Sequence, residues 1–188
     1  AAAIAVIFVG GGHGQAEHRF ASWSKGTIPL YTNAYGTVVE PYFLRAVANW
    51  EVSGIKLDIR STQDCSRRNG AIVLCVANGS GTSYAAYRLH SGHIAYAFVK
   101  IWTWFYENPA CPSCASPFYY GFQEYSAENR HVPGTWVICQ ELGHALGLDH
   151  DNVSPSDPIF LEHQGCMNNW INWSMPSPHD IVTLSARR

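Results

Sequence analysis

Apolar positions recur in two rhythms along this chain. Residues 27–32 read as a first strand, and Val39, Phe43, Val47 and Trp50 then repeat in steps of three and four. Such steps place side chains on one face of a helix, here over residues 39–53, and Gly54 supplies its stop. Segments 55–60, 71–76 and 93–99 alternate or run apolar over lengths suited to strands. A second helical pattern opens at Pro133, in a first turn that tolerates a missing N–H, and runs to about Leu148. Its Val137, Ile138, Leu142 and Ala145 read as core-facing. The order strand, helix, several strands, helix predicts an α+β fold, with a helix packed on a twisted sheet. No internal repeat interrupts it.

With 188 residues, 47% of them hydrophobic, the chain can bury one well-formed core and is not a largely disordered protein. Residues 102–130 hold Trp102, Trp104, Phe105, Tyr106, Phe118, Tyr119, Tyr120, Phe122 and Tyr125 among Pro and Cys, the composition of a structured loop. Those rings either wall a cleft or cover a side of the core. Charged residues make up 14% and the formal charge is -2, with no concentrated stripe of Lys and Arg along the sequence. The pairs Arg67-Arg68 and Arg187-Arg188 read as a solvated turn and a tail, so neither nucleic acid nor an anionic membrane is an expected partner.

The apolar run 1–9 and the glycine-rich residues 10–16 resemble a signal-peptide core and a small-residue cleavage site after Ala16, although a basic start is missing. The run is too short to span a bilayer. The competing reading, a strand entering a phosphate-binding loop, lacks a completed G-x-G-x-x-G and a following βαβ unit. The expectation is therefore an exported, extracellular monomer, with residues 1–16 a leader remnant, residues 17–188 a single domain, and no membrane insertion of the mature chain. Six cysteines, an even number, suit an oxidising compartment, although fifteen pairings are possible. Cys65 and Cys75 flank Asn69-Gly70, a tight-turn signal that could bring them together. Cys111 and Cys114, with no strand leading directly into a helix, read as a small structural loop.

The chemistry concentrates in Gln140-Glu141-Leu142-Gly143-His144-Ala145-Leu146-Gly147-Leu148-Asp149-His150. It matches the zinc-peptidase signature H-E-x-x-H-x-x-G-x-x-H except for glutamine at the first position. Residues four apart on a helix share a face, so Gln140 and His144 address one point, and Glu141 stands beside them. Gly147 can take a positive φ and turn the chain so that His150 reaches the same point from outside the helix. At this chain's residue frequencies, Glu141, His144, Gly147 and His150 would fall at these spacings by chance in about one or two chains per thousand, so the pattern carries information without its first ligand.

Together with Cys166-Met167-Asn168 downstream, this motif resembles those of the metzincin clan of metallopeptidases, similar to the matrixin and adamalysin groups. Cys139-Gln140-Glu141 is similar to the way the motif begins in secreted actinobacterial metzincin-like proteins. The motifs cover residues 132–168, and a looser match in element order runs from about Thr27 to a last helix beginning near Pro178. The resemblance implies a twisted mixed sheet with a backing helix, an active-site helix and a C-terminal helix after the methionine turn. It further implies a zinc endopeptidase acting on an extended peptide or protein substrate, with Glu141 as general base toward a metal-activated water and Met167 as an apolar base under the zinc.

Three readings of position 140 stay open. Gln140 ligates zinc through its amide oxygen beside His144 and His150; or the two histidines bind it with water or another side chain; or the protein is a metal-poor pseudopeptidase that binds peptides or proteins. Asp149 and Asp151 are substitute ligands, with a structural role favoured for Asp151. Cys139 could pair with Cys166, fastening the metal helix to the floor beneath it, the alternative being two buried thiols. Substrate is expected along an edge strand, with residues 93–99 the candidate.

Overall fold

The computed structural model describes residues 21–107, 132–169 and 173–185. The leader-like residues 1–16, Cys111 and Cys114, and most of the aromatic stretch lie outside the described residues. Strand β1 (Thr27–Thr32) turns Ile28, Leu30 and Thr32 inward, and helix α1 (Glu40–Glu51) buries Phe43, Ala46, Val47 and Trp50. The periodic face read from sequence is thus the packed face, and Gly54 at φ +78° follows the end of α1. Strands β2 (Lys56–Ser61), β3 (Ile72–Ala77), β4 (Tyr84–His90) and β5 (His93–Trp102) complete a five-stranded sheet in the order β2-β1-β3-β5-β4. All neighbours are parallel except β4, which runs antiparallel to β5.

Strand β4 was not legible as a strand. Its sequence, YAAYRLH, has no clean alternation, because none of its residues is fully buried and neither face had to be apolar. Its presence corrects the expected substrate edge: residues 93–99 belong to β5, which is paired on both sides, and the edge beside it is β4. Ser91 (φ 51°) and Gly92 (φ 80°) form the tight β4–β5 turn.

The sheet is covered unequally. Helix α1 and helix α3 (Val132–Leu146) pack on one another on the same side, enclosing Leu30, Trp50, Leu74, Val99, Leu142 and Met167. On the opposite side, the loop between β2 and β3 is fastened to the sheet by the Cys65–Cys75 disulfide, as the tight turn suggested. That cover accounts for the near-complete burial of β3. Arg67 and Arg68 in this loop are not a plain solvated turn: Arg67 stacks near Tyr96 and Phe98, and Arg68 lies 4.1 Å above Tyr31.

A short helix α2 (Trp104–Glu107) follows β5, and helix α4 (Pro178–Ser185) ends the described chain. Ser177 caps α4, its hydroxyl accepting the Asp180 N–H while the Asp180 carboxylate accepts the Ser177 N–H. The result is an α+β arrangement with a mixed sheet, a backing helix and two further helices, compatible with a metzincin-like fold. Two disulfides, and no helix among the described residues long and apolar enough to cross a membrane, are compatible with export.

Candidate active site

Helix α3 presents Gln140, Glu141 and His144, and its end is built to deliver His150. Gly147 (φ +104°) receives the chain in the left-handed region, its N–H donating to the His144 carbonyl at 3.0 Å. The Leu148 N–H donates to the Gly143 carbonyl at 3.0 Å, completing a Schellman turn. A side chain at Gly147 would strike the Ala21 carbonyl, so the turn needs glycine for both its φ and its packing. Past the turn, the His144 and His150 rings meet edge to face with centroids 4.5 Å apart.

The orientation of His144 is fixed by its neighbour. Its Nδ1 lies 2.9 Å from the Leu148 carbonyl, which can only accept, so Nδ1 carries the proton and Nε2 the lone pair. That is the tautomer a metal-binding imidazole requires. Burial lowers the pKa of His150, with Asp149 opposing, which keeps the ring neutral to lower pH. Two imidazoles on one tetrahedral zinc have centroids about 5 Å apart, so the observed separation suits a shared ion.

Gln140 reaches the same place. Its Nε2 lies 3.5 Å from His150 Nδ1, the outer limit of a hydrogen bond, and a half-turn of the terminal amide exchanges donor for carbonyl oxygen. The donor set is therefore two imidazoles and an amide. Among the described residues no three His, Cys, Asp or Glu side chains gather as a cation site.

The aspartates serve elsewhere. The Asp149 carboxylate accepts the His150 N–H at 2.8 Å. Buried Asp151 pairs with His163 Nδ1 at 2.5 Å and accepts the Val153 N–H, while its own N–H donates to the Met167 carbonyl at 2.7 Å. His163 in turn stacks on His179, with centroids 4.1 Å apart. The structural role that the sequence favours for Asp151 is met here, whereas its joining to His163 and His179 has no local spacing to announce it, the members lying twelve or more residues apart.

Glu141 is 8% exposed, and burial pushes its carboxyl up to about 7, opposed by a hydrogen bond from the Ala85 N–H. The edge strand β4 thus lends an amide to the carboxylate beside the histidines. Beneath α3, Met167 is fully buried and packs where a side chain at Gly143 would stand. Cys139 and Cys166 form the disulfide expected of them, with Cα atoms 5.9 Å apart. The Trp50 indole N–H donates to the Cys139 carbonyl at 2.8 Å, tying α1 to the same turn of α3.

No protein-family model and no curated protein matches the sequence. Among solved structures the chain is similar to a chain in the GM1-bound form of the ECX AB5 holotoxin, at 16% identity over 90% of this chain and 88% of that one, with a TM-score of 0.50. It is also similar to myroilysin, at 12% identity over 88% of this chain and 94% of that one, with a TM-score of 0.48. At such identities a likeness speaks of the fold alone.

Proposed function

We propose that this chain is a secreted, metzincin-like zinc endopeptidase, with His144 and His150 as principal ligands, Gln140 as a weak third ligand through its amide oxygen, and Glu141 as general base. The observation that carries the reading is the convergence of the two imidazoles beside a buried carboxyl whose pKa stands near 7. A carboxyl so poised can accept a proton from an attacking water and return it to the leaving amine near neutral pH. Zinc, when bound, supplies Lewis acidity at the scissile carbonyl and makes water a nucleophile near neutral pH. An amide oxygen holds zinc less well than an imidazole nitrogen, so affinity is expected below that of a three-histidine site. The peptide would add as a further strand on the outer edge of β4, where the Ala85 N–H is already committed to Glu141.

The second reading, a peptide- or protein-binding pseudopeptidase, is favoured by one observation: the Gln140 amide and His150 can satisfy each other. The deciding measurement is the zinc content of the purified, oxidised protein, together with chelator-sensitive cleavage of an unfolded protein substrate. Absence of both at saturating zinc overturns the enzyme reading. Gln140→His is expected to tighten zinc binding by tenfold or more, about 1.4 kcal/mol, and an unchanged affinity would remove position 140 from the ligand set.

A further inference from the structure

The sheet face opposite α1 and α3 is strongly cationic. Register partners share a face, which places Lys56, Arg60, Arg88 and Lys100 there from the strands, joined by Arg67 and Arg68 from the disulfide-fastened loop. These are six of the twelve Lys and Arg in a chain of formal charge -2, and the carboxylates that pair with them among the described residues are Asp58 and Asp64. The basic residues scattered through the sequence are therefore gathered by folding.

Their arrangement is ordered. The register aligns Arg60, Tyr31, Val73, Phe98 and Ala86 in one row across all five strands. Arg68 lies over Tyr31 at 4.1 Å, Arg67 near Phe98 at 5.9 Å, and Lys100 over Trp102 at 4.1 Å, while Arg88 stands opposite Tyr96. Rings beneath the cations limit their freedom, so less entropy is lost when an anion binds. The row crosses four strand spacings, about 19 Å. The disulfide-fastened loop covers β3 on this side, so a ligand meets Arg67 and Arg68 at the centre and strand side chains to either side. That suits a polymer whose anionic groups repeat along its length and whose sugar C–H faces can lie on the exposed ring of Tyr84.

We propose that this face binds a linear acidic polysaccharide, lying across the strands from β2 to β4. The surface is remote in kind from the peptide cleft and would act as an anchoring exosite whether or not the chain cleaves peptides.

The test is isothermal titration of the full, oxidised chain with a size-defined heparin oligosaccharide at low and at physiological ionic strength. Binding is expected, weakening with salt. The double variant Arg67→Gln/Lys100→Gln should bind about tenfold more weakly, whereas Arg45→Gln on α1 should bind as before. If the first variant lowers the melting temperature, Lys56→Gln/Arg88→Gln, at two exposed strand positions, should give the same loss. No binding at low salt, or unchanged affinity in the double variants, overturns the proposal. Equal affinity for polyglutamate or single-stranded DNA of matched charge also overturns it, by assigning the face to acidic protein, to nucleic acid or to charge alone.

Discussion

A carboxyl that titrates near neutrality links the working of the site to its stability. For Glu141, ionisation in the unfolded chain begins near the ordinary 4.5 and in the folded chain near 7, so between those values the unfolded state has released a proton that the folded state retains. Stability therefore falls as pH rises from about 4.5 to about 7 and is level above, a loss of about 3 kcal/mol. In chelator, Glu141→Gln should remove that slope and leave the protein more stable than the parent above pH 7, as measured by denaturant titration at several pH values. Activity should move the opposite way, with Glu141→Gln losing at least a hundredfold in kcat/KM of the zinc-loaded protein. Retained turnover in that variant would remove Glu141 as the base. At this scale the sequence was informative because ligand spacing is local: Gln140, Glu141, His144 and His150 fall where the helix and its turn require. It favoured a structural role for Asp151 but was silent on the meeting of that residue with His163 and His179, which depends on the path of the chain between them.

Elements show the same division. Helices α1 and α3 were readable because their buried faces follow a helical period, and the Gly147 turn because its φ demands glycine. Strand β4 was not, since no residue of it is fully buried and so neither face had to be apolar. The Met167 floor under α3 was implied by the motif, but the close fit that it requires at Gly143 was hidden. A methyl group there would press on the Met167 sulfur and on Trp50, both fully buried. Gly143→Ala is expected to destabilise by about 1–3 kcal/mol despite its gain in helix propensity, readable as a lower denaturation midpoint with unchanged m. A neutral or stabilising result would mean that Met167 can move aside, and with it the fixed floor under the histidines.

At the scale of the molecule, two disulfides among the described residues secure opposite faces of one sheet. Cys65–Cys75 holds the cationic loop on one face, and Cys139–Cys166 joins α3 to the methionine turn on the other. Replacing both Cys139 and Cys166 by Ala frees a loop of sequence separation 27, expected to cost about 3.5 kcal/mol from chain entropy alone. Equilibrium unfolding without reductant checks it, and a loss below 1 kcal/mol would show that packing of Met167 and Trp50 suffices. One more long-range tie has a temporal meaning. The Ala21 N–H donates to the Gly147 carbonyl, the Ser22 carbonyl accepts from Ile94, and the Trp23 indole donates to the Ala145 carbonyl. The turn that aims His150 is thus closed by residues made more than a hundred positions earlier. Such distant contacts form late, after the loop between them has been closed. During synthesis from the N-terminus, the sheet can assemble while this histidine still lacks its place. A nascent chain would be folded in most of its length before the turn that carries His150 is closed.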